Sequence, residues 1–224
     1  MLLLSAIGVF AQSPSSAQTA SNLEGVLNQM DAAAATFKNA EADFTWDLYH
    51  KVVDETDTQK GTIYFRRSSG GTQMAADITS PDQQTILFTG GKIQIYQPKI
   101  GTVNEYDASK NKSEVESFLV LGFGGRGHDL GREFQVTFAG NEDVDGVKTA
   151  KLELVPKSPK VLNMFSKIVI WVDAPRGISL KQQAFEPSGD YRLSHYTNVK
   201  VNTKISDDVF KLHTSGHVKT IKGY

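Results

Sequence analysis

Few residues in this 224-residue chain could do chemistry, and most are arranged in ways that argue against a reaction. Cysteine is absent, which removes thiol nucleophiles, thiolate metal sites, disulfides and a lipid-attachment cysteine together. The five histidines are His50, His128, His195, His213 and His217. His213 and His217 have the spacing of helical zinc ligands, but Thr-Ser-Gly lies between them and no third ligand is near. His195 falls on one strand face with Leu193 and Val199, the ordinary setting of a hydrogen-bonded core histidine. No G-x-S-x-G, H-E-x-x-H or P-loop pattern occurs, so serine-hydrolase, zinc-protease and NTPase chemistry have no anchor. Gly122-Phe-Gly124-Gly-Arg-Gly127 satisfies G-x-G-x-x-G, but the next strand signal at Glu133 leaves no room for the crossover helix of a dinucleotide site. These glycines read instead as a flexible hinge. No catalytic residue, metal or cofactor is expected.

Arg67 is the exception. Along Gly61 to Arg67, Ile63 and Phe65 share one face, and the two-residue period of a strand puts Arg67 on that inward face while Arg66 points out with Tyr64. An arginine at the inner mouth of an apolar cavity must be hydrogen-bonded, and its forked donors suit backbone carbonyls of a covering segment. A strand-end arginine snorkelling to solvent has the same parity.

The elements that would position it are mainly strands. Leu23, Val26, Leu27, Met30 and Ala34 recur at helical spacing after Ser21, with Glu24 completing a capping box, which predicts one amphipathic helix ending near Asn39. From Ala42 the period becomes two, and about eleven strands follow, ending with Tyr191 to Val201. Short turn-rich connections make the neighbours antiparallel. A sheet this large must curl or close. Its inward positions are Phe44, Trp46 and Leu48; Ile63 and Phe65; Ile86, Phe88, Ile93 and Ile95; Phe134, Val136 and Phe138; and Leu152, Leu154, Ile168 and Ile170. Strand side chains alone cannot fill so wide an interior. The helix and an insert from Ser109 to Gly131, with Val115, Phe118, Leu119 and Leu121 at helical spacing, are the candidate plugs. The predicted fold is therefore a mainly β, incomplete and strongly curled antiparallel barrel with a helical lid over an apolar hollow. Asp207 to Leu212 reads as an edge segment or cap, and residues 213–224 as a loose tail.

Residues 1–11 form an apolar run with Val9 and Ala11 placed like the −3 and −1 positions of a signal-peptidase site, which predicts export and cleavage near Ala11. Residues 12–21 are a polar Ser/Ala-rich spacer expected to be disordered, and residues 22–212 form the domain. The 24 basic and 25 acidic residues give a net charge of −1, so neither nucleic acid nor an anionic membrane is an expected partner. Nothing further along approaches the roughly 20 apolar residues of a spanning helix. A transmembrane barrel is disfavoured because Asp43, Asp47, Glu133 and Lys181 would face lipid.

The order of these elements resembles the periplasmic outer-membrane lipoprotein carrier family, the LolA-like proteins. The likeness rests on Thr36 to Phe44, on Gly61-Thr-Ile-Tyr-Phe-Arg-Arg67, on Ser80-Pro-Asp82 with Ile86 to Gly91 and Ile93 to Pro98, on Phe118 to Leu121, and on Ile168 to Asp173. The resemblance implies a periplasmic, monomeric carrier whose cavity, built from the inward residues above with Phe118, Leu119 and Leu121, binds lipoprotein acyl chains. It further implies receipt from an inner-membrane ABC transporter, delivery to an outer-membrane acceptor, and a lid-locking role for Arg67. Where the family has a proline and then aromatic residues after that arginine, this chain has Ser68 to Gly71 and Thr72 to Ala76. A lipid- or lipoprotein-sensing regulatory protein on the same fold is the competing function, and a structural module with a solid core is the third.

Overall fold

The computed structural model describes residues 16–69, 71–109 and 121–223. One helix, α1 (Ser16–Thr36), precedes eleven strands that form two antiparallel hairpin runs: β1 (Asn39–His50), β2 (Glu55–Ser68), β3 (Gly71–Ser80), β4 (Gln84–Thr89), β5 (Lys92–Gln97) and β6 (Thr102–Asp107), then β7 (Phe134–Val144), β8 (Val147–Pro156), β9 (Lys167–Asp173), β10 (Ile178–Phe185) and β11 (Tyr191–Val201). A twelfth strand, β12 (Lys219–Gly223), completes a single sheet in the order β12-β6-β5-β4-β3-β2-β1-β11-β10-β9-β8-β7. The hairpin run from β1 to β6 and the run from β7 to β11 meet where β1 pairs with β11, Phe44 opposite Tyr196. With β12 and β7 at opposite edges the sheet stays open, curled into an incomplete barrel.

Three expectations are corrected. The helix begins at Ser16, so Ser21 lies inside it and the end of the supposed spacer is helical. The tail is not loose, because residues 219–223 pair with β6, and in parallel rather than antiparallel sense. Parallel pairing needs a long connection between the two partners, and here residues 108–218, which carry β7 to β11, lie between β6 and β12. Residues 1–15, where the export signal was expected, lie outside the described residues, as do Val115, Phe118 and Leu119. Among the described residues no helix is long and apolar enough to cross a membrane.

The interior divides into two clusters. Ala40, Ala42 and Phe44 of β1, Ile63 and Phe65 of β2, Met74 and Ala76 of β3 and Phe88 of β4 fill the first. Met30 of α1 packs with Phe134, Leu152, Leu154, Ile168, Ile170 and Val172 of β7 to β9 in the second. The helix lies over that half because Leu27, Met30 and Ala34 recur on one face and bury it. A third, smaller cluster sits on the outer face of the sheet. There Phe210, from a short 3-10 turn (Asp207–Phe210), packs on Ala75 and Leu87, so this segment caps the sheet.

Candidate functional site: the lidded hollow

The β2 strand ends where α1 ends, and Arg67 joins them. Its Nη1 donates to the Ala34 carbonyl at 2.8 Å and its Nη2 to the Gly124 carbonyl at 2.8 Å. Ala34 is in the last turn of α1, where carbonyls have no intrahelical partner and a cation is favoured by the helix dipole. The guanidinium also lies 5.7 Å from the Phe37 ring centroid. Arg67 is exposed at the rim rather than sunk in the dry interior. Its bonds are therefore the moderate kind that solvent competes for, not the costly kind of a buried ion. The adjacent Arg66 points to the other face, as parity requires. Its Nε donates to Gln73 Oε1 at 2.9 Å, its Nη1 reaches Asp207, and its guanidinium stacks over Phe210 at 4.2 Å. One arginine holds the lid side and its neighbour holds the C-terminal cap.

Gly124 belongs to the described part of the insert, and this segment descends into the barrel. Phe123 is 2% exposed. Its ring stacks on Phe65 at 4.2 Å between centroids and meets Tyr196 edge-on at 4.9 Å. The flanking backbone is anchored on β10: Ser179 N–H donates to the Gly122 carbonyl at 2.6 Å, Gly124 N–H donates to the Gly177 carbonyl at 3.1 Å, and Gln182 Nε2 donates to the Leu121 carbonyl at 2.5 Å. β11 pairs with β10 only from Lys181 onward, so the strand edge before it is open to the insert, which bridges it with Phe123 opposite Ile178.

The three glycines of the G-x-G-x-x-G match turn out to be close-approach positions rather than a loose hinge. A Cβ on Gly124, at φ +71°, would come within 2.2 Å of the Phe37 ring, and one on Gly127 within 2.6 Å of the Leu27 carbonyl oxygen. Backbone must pass there with no side chain between.

A hollow of about 640 Å³ remains beside the second cluster, between α1, the insert and the start of β7, within the roughly 300–1,000 Å³ typical of small-molecule sites. Met30 and Ala34 of α1, Leu121 and Phe134 supply its apolar wall, and Arg67 and Arg126 stand at its edge. Of the expected cavity residues, Leu121 and Phe134 line this hollow. Phe44, Ile63, Phe65 and Phe88 are buried in the first cluster with Trp46, Ile86 and Ile93 against it. Leu152, Leu154, Ile168 and Ile170 are buried in the second, with Val136 and Phe138 beside them. Leu48 and Trp46 line a separate hollow of about 520 Å³ with Gln59 and Arg192, and Ile95 is half-buried outside both clusters. Phe118 and Leu119 are not among the described residues. The inward face is thus largely packed on itself and on Phe123.

Phe123 was missed by the strand and helix periodicities because it belongs to neither; an aromatic residue between two glycines was the available signal. His195 is also placed differently from expectation. It lies half-exposed on the outer face with Nε2 2.6 Å from Asp145 Oδ2. The inner residues of β11 here are Ser194 and Tyr196, opposite Trp46 and Phe44. A polar Ser194 on the inner face misleads a reading based on hydrophobic parity. Among the described residues no group of three or more His, Asp or Glu is arranged to hold a metal.

An open, curled sheet with a helix and a loop folded over its interior defines the class of incomplete antiparallel barrels with a lid. Residues 35–213 match the family described as outer membrane lipoprotein carrier protein LolA, and the chain belongs to that family. No curated protein sequence matches it. Among solved structures, an uncharacterised conserved protein from Thermus thermophilus superposes with a TM-score of 0.59 at 7% identity, covering 90% of this chain and 99% of that one. MucB superposes with a TM-score of 0.56 at 13% identity, over 88% of this chain and 65% of its own length. The Pseudomonas aeruginosa MucA/MucB complex gives 0.51 at 13% identity, over 86% and 61%. These likenesses are of fold, and this chain spans less than two thirds of the MucB chains.

Proposed function

We propose that this protein is a periplasmic carrier that takes lipoprotein acyl chains into the hollow beneath its lid and shuttles them from the inner to the outer membrane. The observation that carries the reading is the pairing of Phe123 with Arg67. An aromatic side chain of the insert occupies the barrel interior, and an arginine at the rim ties that insert and α1 together through two backbone carbonyls. Both contacts are reversible, and both occupy what an acyl chain would need. Burial of a chain yields about 0.8 kcal/mol per methylene, so a carrier without competing lid contacts would not let go. Arg67 acts here as the lid lock, and the inward residues become the acyl surface once Phe123 withdraws. Membership of the lipoprotein carrier family supports acylated lipoprotein as cargo, an ABC transporter as donor and an outer-membrane acceptor as recipient.

The likeness to MucB, which is seen in complex with MucA, favours a second reading, an envelope sensor that binds lipid and signals to a protein partner. The test is mass spectrometry of organic extracts from the purified protein, followed by transfer of a bound acylated lipoprotein to acceptor membranes. Acyl lipid that moves to the acceptor supports the carrier. Stable retention with capture of an envelope signalling protein supports the sensor, and absence of any acyl binding overturns both.

A further inference from the structure

The lid loop is fastened to α1 at a second point, remote from Arg67. Beyond Gly125 the chain runs back along the helix, and His128 lies against its polar face. Its Nδ1 is 2.7 Å from Asp31 Oδ2, its Nε2 is 3.1 Å from Glu24 Oε1, and its backbone N–H donates to Asp31 Oδ1 at 3.2 Å. Glu24 and Asp31 are two helical turns apart and so share a face. Carboxylates only accept, so an imidazole between two of them must offer N–H from both nitrogens. The neutral ring has one, and its bare nitrogen would face an oxygen lone pair. The geometry is complementary to the imidazolium.

We propose that His128 is a proton-operated catch: protonated, it pins the lid loop to α1 over the hollow, and on losing its proton it frees the loop so that acyl uptake rises with pH. The consequence for uptake rests on the carrier reading above, whereas the catch itself does not. The pinned stretch is the one that carries the plug, since Phe123 lies just before it, and Gly127 within it packs on the Leu27 backbone. Asp31, Arg126 and Asp129 all border the hollow, so the catch sits at its mouth.

The charged groups facing His128 are few among the described residues. From α1 come Asp31 and Glu24, the latter also accepting from Asn28 Nδ2 at 3.3 Å. From the loop itself Arg126 stands 3.7 Å from Asp31, and Asp129 pairs with Arg132 at 3.3 Å. From the end of β8, Lys157 donates to the Gly131 carbonyl. The bond to Asp31 foremost, then that to Glu24, raises the histidine above its ordinary 6.5, with burial opposing. For Asp31, burial tends to raise the carboxyl, but bonds from the His128 ring and backbone outweigh it and the net direction is below 3.8. The histidine's contribution is therefore complete below its unfolded value and is lost as pH rises through the higher folded one. The Asp31 contribution is present above its own unfolded value and is lost as pH falls through the lowered folded one. The catch holds most firmly in the mildly acidic range between.

Hydrogen exchange of the amides of residues 121–131, corrected for chemical exchange rates, tests this in the full chain from about pH 5 to about pH 9. In the wild type, protection should fall by roughly three- to tenfold as pH rises through the histidine titration, the scale of partly exposed ion pairs. His128→Gln should remove the step, leaving the loop at its high-pH protection throughout. Coincident profiles for the two proteins would overturn the catch. Protection of the β1 and β11 amides reports whether the variant folds, and if it does not, Glu24→Gln with Asp31→Asn replaces it. That pair should bring the His128 ring titration, followed by NMR, back to an ordinary histidine; an unchanged titration would also overturn the proposal. A dansylated fatty acid supplies the cargo arm. Loop protection that steps without probe binding at any pH sinks the carrier and keeps the catch, whereas probe binding without a step does the reverse.

Discussion

Removing the Phe123 ring separates a plugged carrier from a protein with a merely solid core. The ring is almost fully buried and makes two aromatic contacts, with Phe65 and Tyr196. Truncating such a side chain to Ala costs about 3–5 kcal/mol in a core that cannot collapse. If the open lid exposes Phe123, that loss falls on the closed state alone. At about 1.4 kcal/mol per tenfold, a loss near 3 kcal/mol weakens closure by about a hundredfold. Apparent acyl affinity is the intrinsic affinity multiplied by the fraction of molecules whose lid is open. Phe123→Ala should therefore lower the apparent Kd of a fluorescent fatty acid by up to about a hundredfold while leaving β1–β11 exchange protection in place. Titration by fluorescence, with exchange measured alongside, reads both. Weaker or unchanged probe binding in a variant whose sheet is intact would refute the reasoning, because Phe123 would then be a wall of the site or irrelevant to it.

Arg67→Leu removes two rim hydrogen bonds, worth about 1–2 kcal/mol together at an exposed site, and should slow release of bound lipid in a membrane-transfer assay; wild-type uptake and release would remove its lock role. Arg66→Ala, one residue away, should instead loosen the Asp207–Phe210 cap and cost about 1–2 kcal/mol of stability in denaturant titration. It should leave probe affinity unchanged, and a change in affinity would mean the two faces are coupled. Gly127→Ala drives a Cβ against the Leu27 backbone oxygen and should destabilise lid closure by about 1–3 kcal/mol, read as faster exchange of residues 121–131. Tolerance of that substitution would show that loop and helix are not in firm contact.

Much of the architecture was legible because strand alternation is a local property. Ile63, Phe65 and Arg67 on one face and Tyr64 and Arg66 on the other follow from a two-residue period, and the contacts of Arg66 and Arg67 on opposite faces agree with it. The tail was misread because β12 carries little hydrophobic pattern, with Lys219, Thr220 and Lys222 exposed at an edge. Its pairing depends on β6 being in place. His195 was misread because the inner face of β11 is polar where it passes Trp46.

By itself the sequence determined the strand count to within one, the antiparallel hairpin runs β1–β6 and β7–β11, the presence of a helix at the start and the parity of the side chains on strands with a clear apolar face, since propensity and period act over a few residues. Only the tertiary structure decided that Phe123 fills the barrel, that the glycines around it are contact points, and that His128 lies between two carboxylates of α1. Those relations join segments far apart in sequence, 97 residues for His128 and Asp31, where no periodicity reaches and only the curl of the sheet brings the partners together.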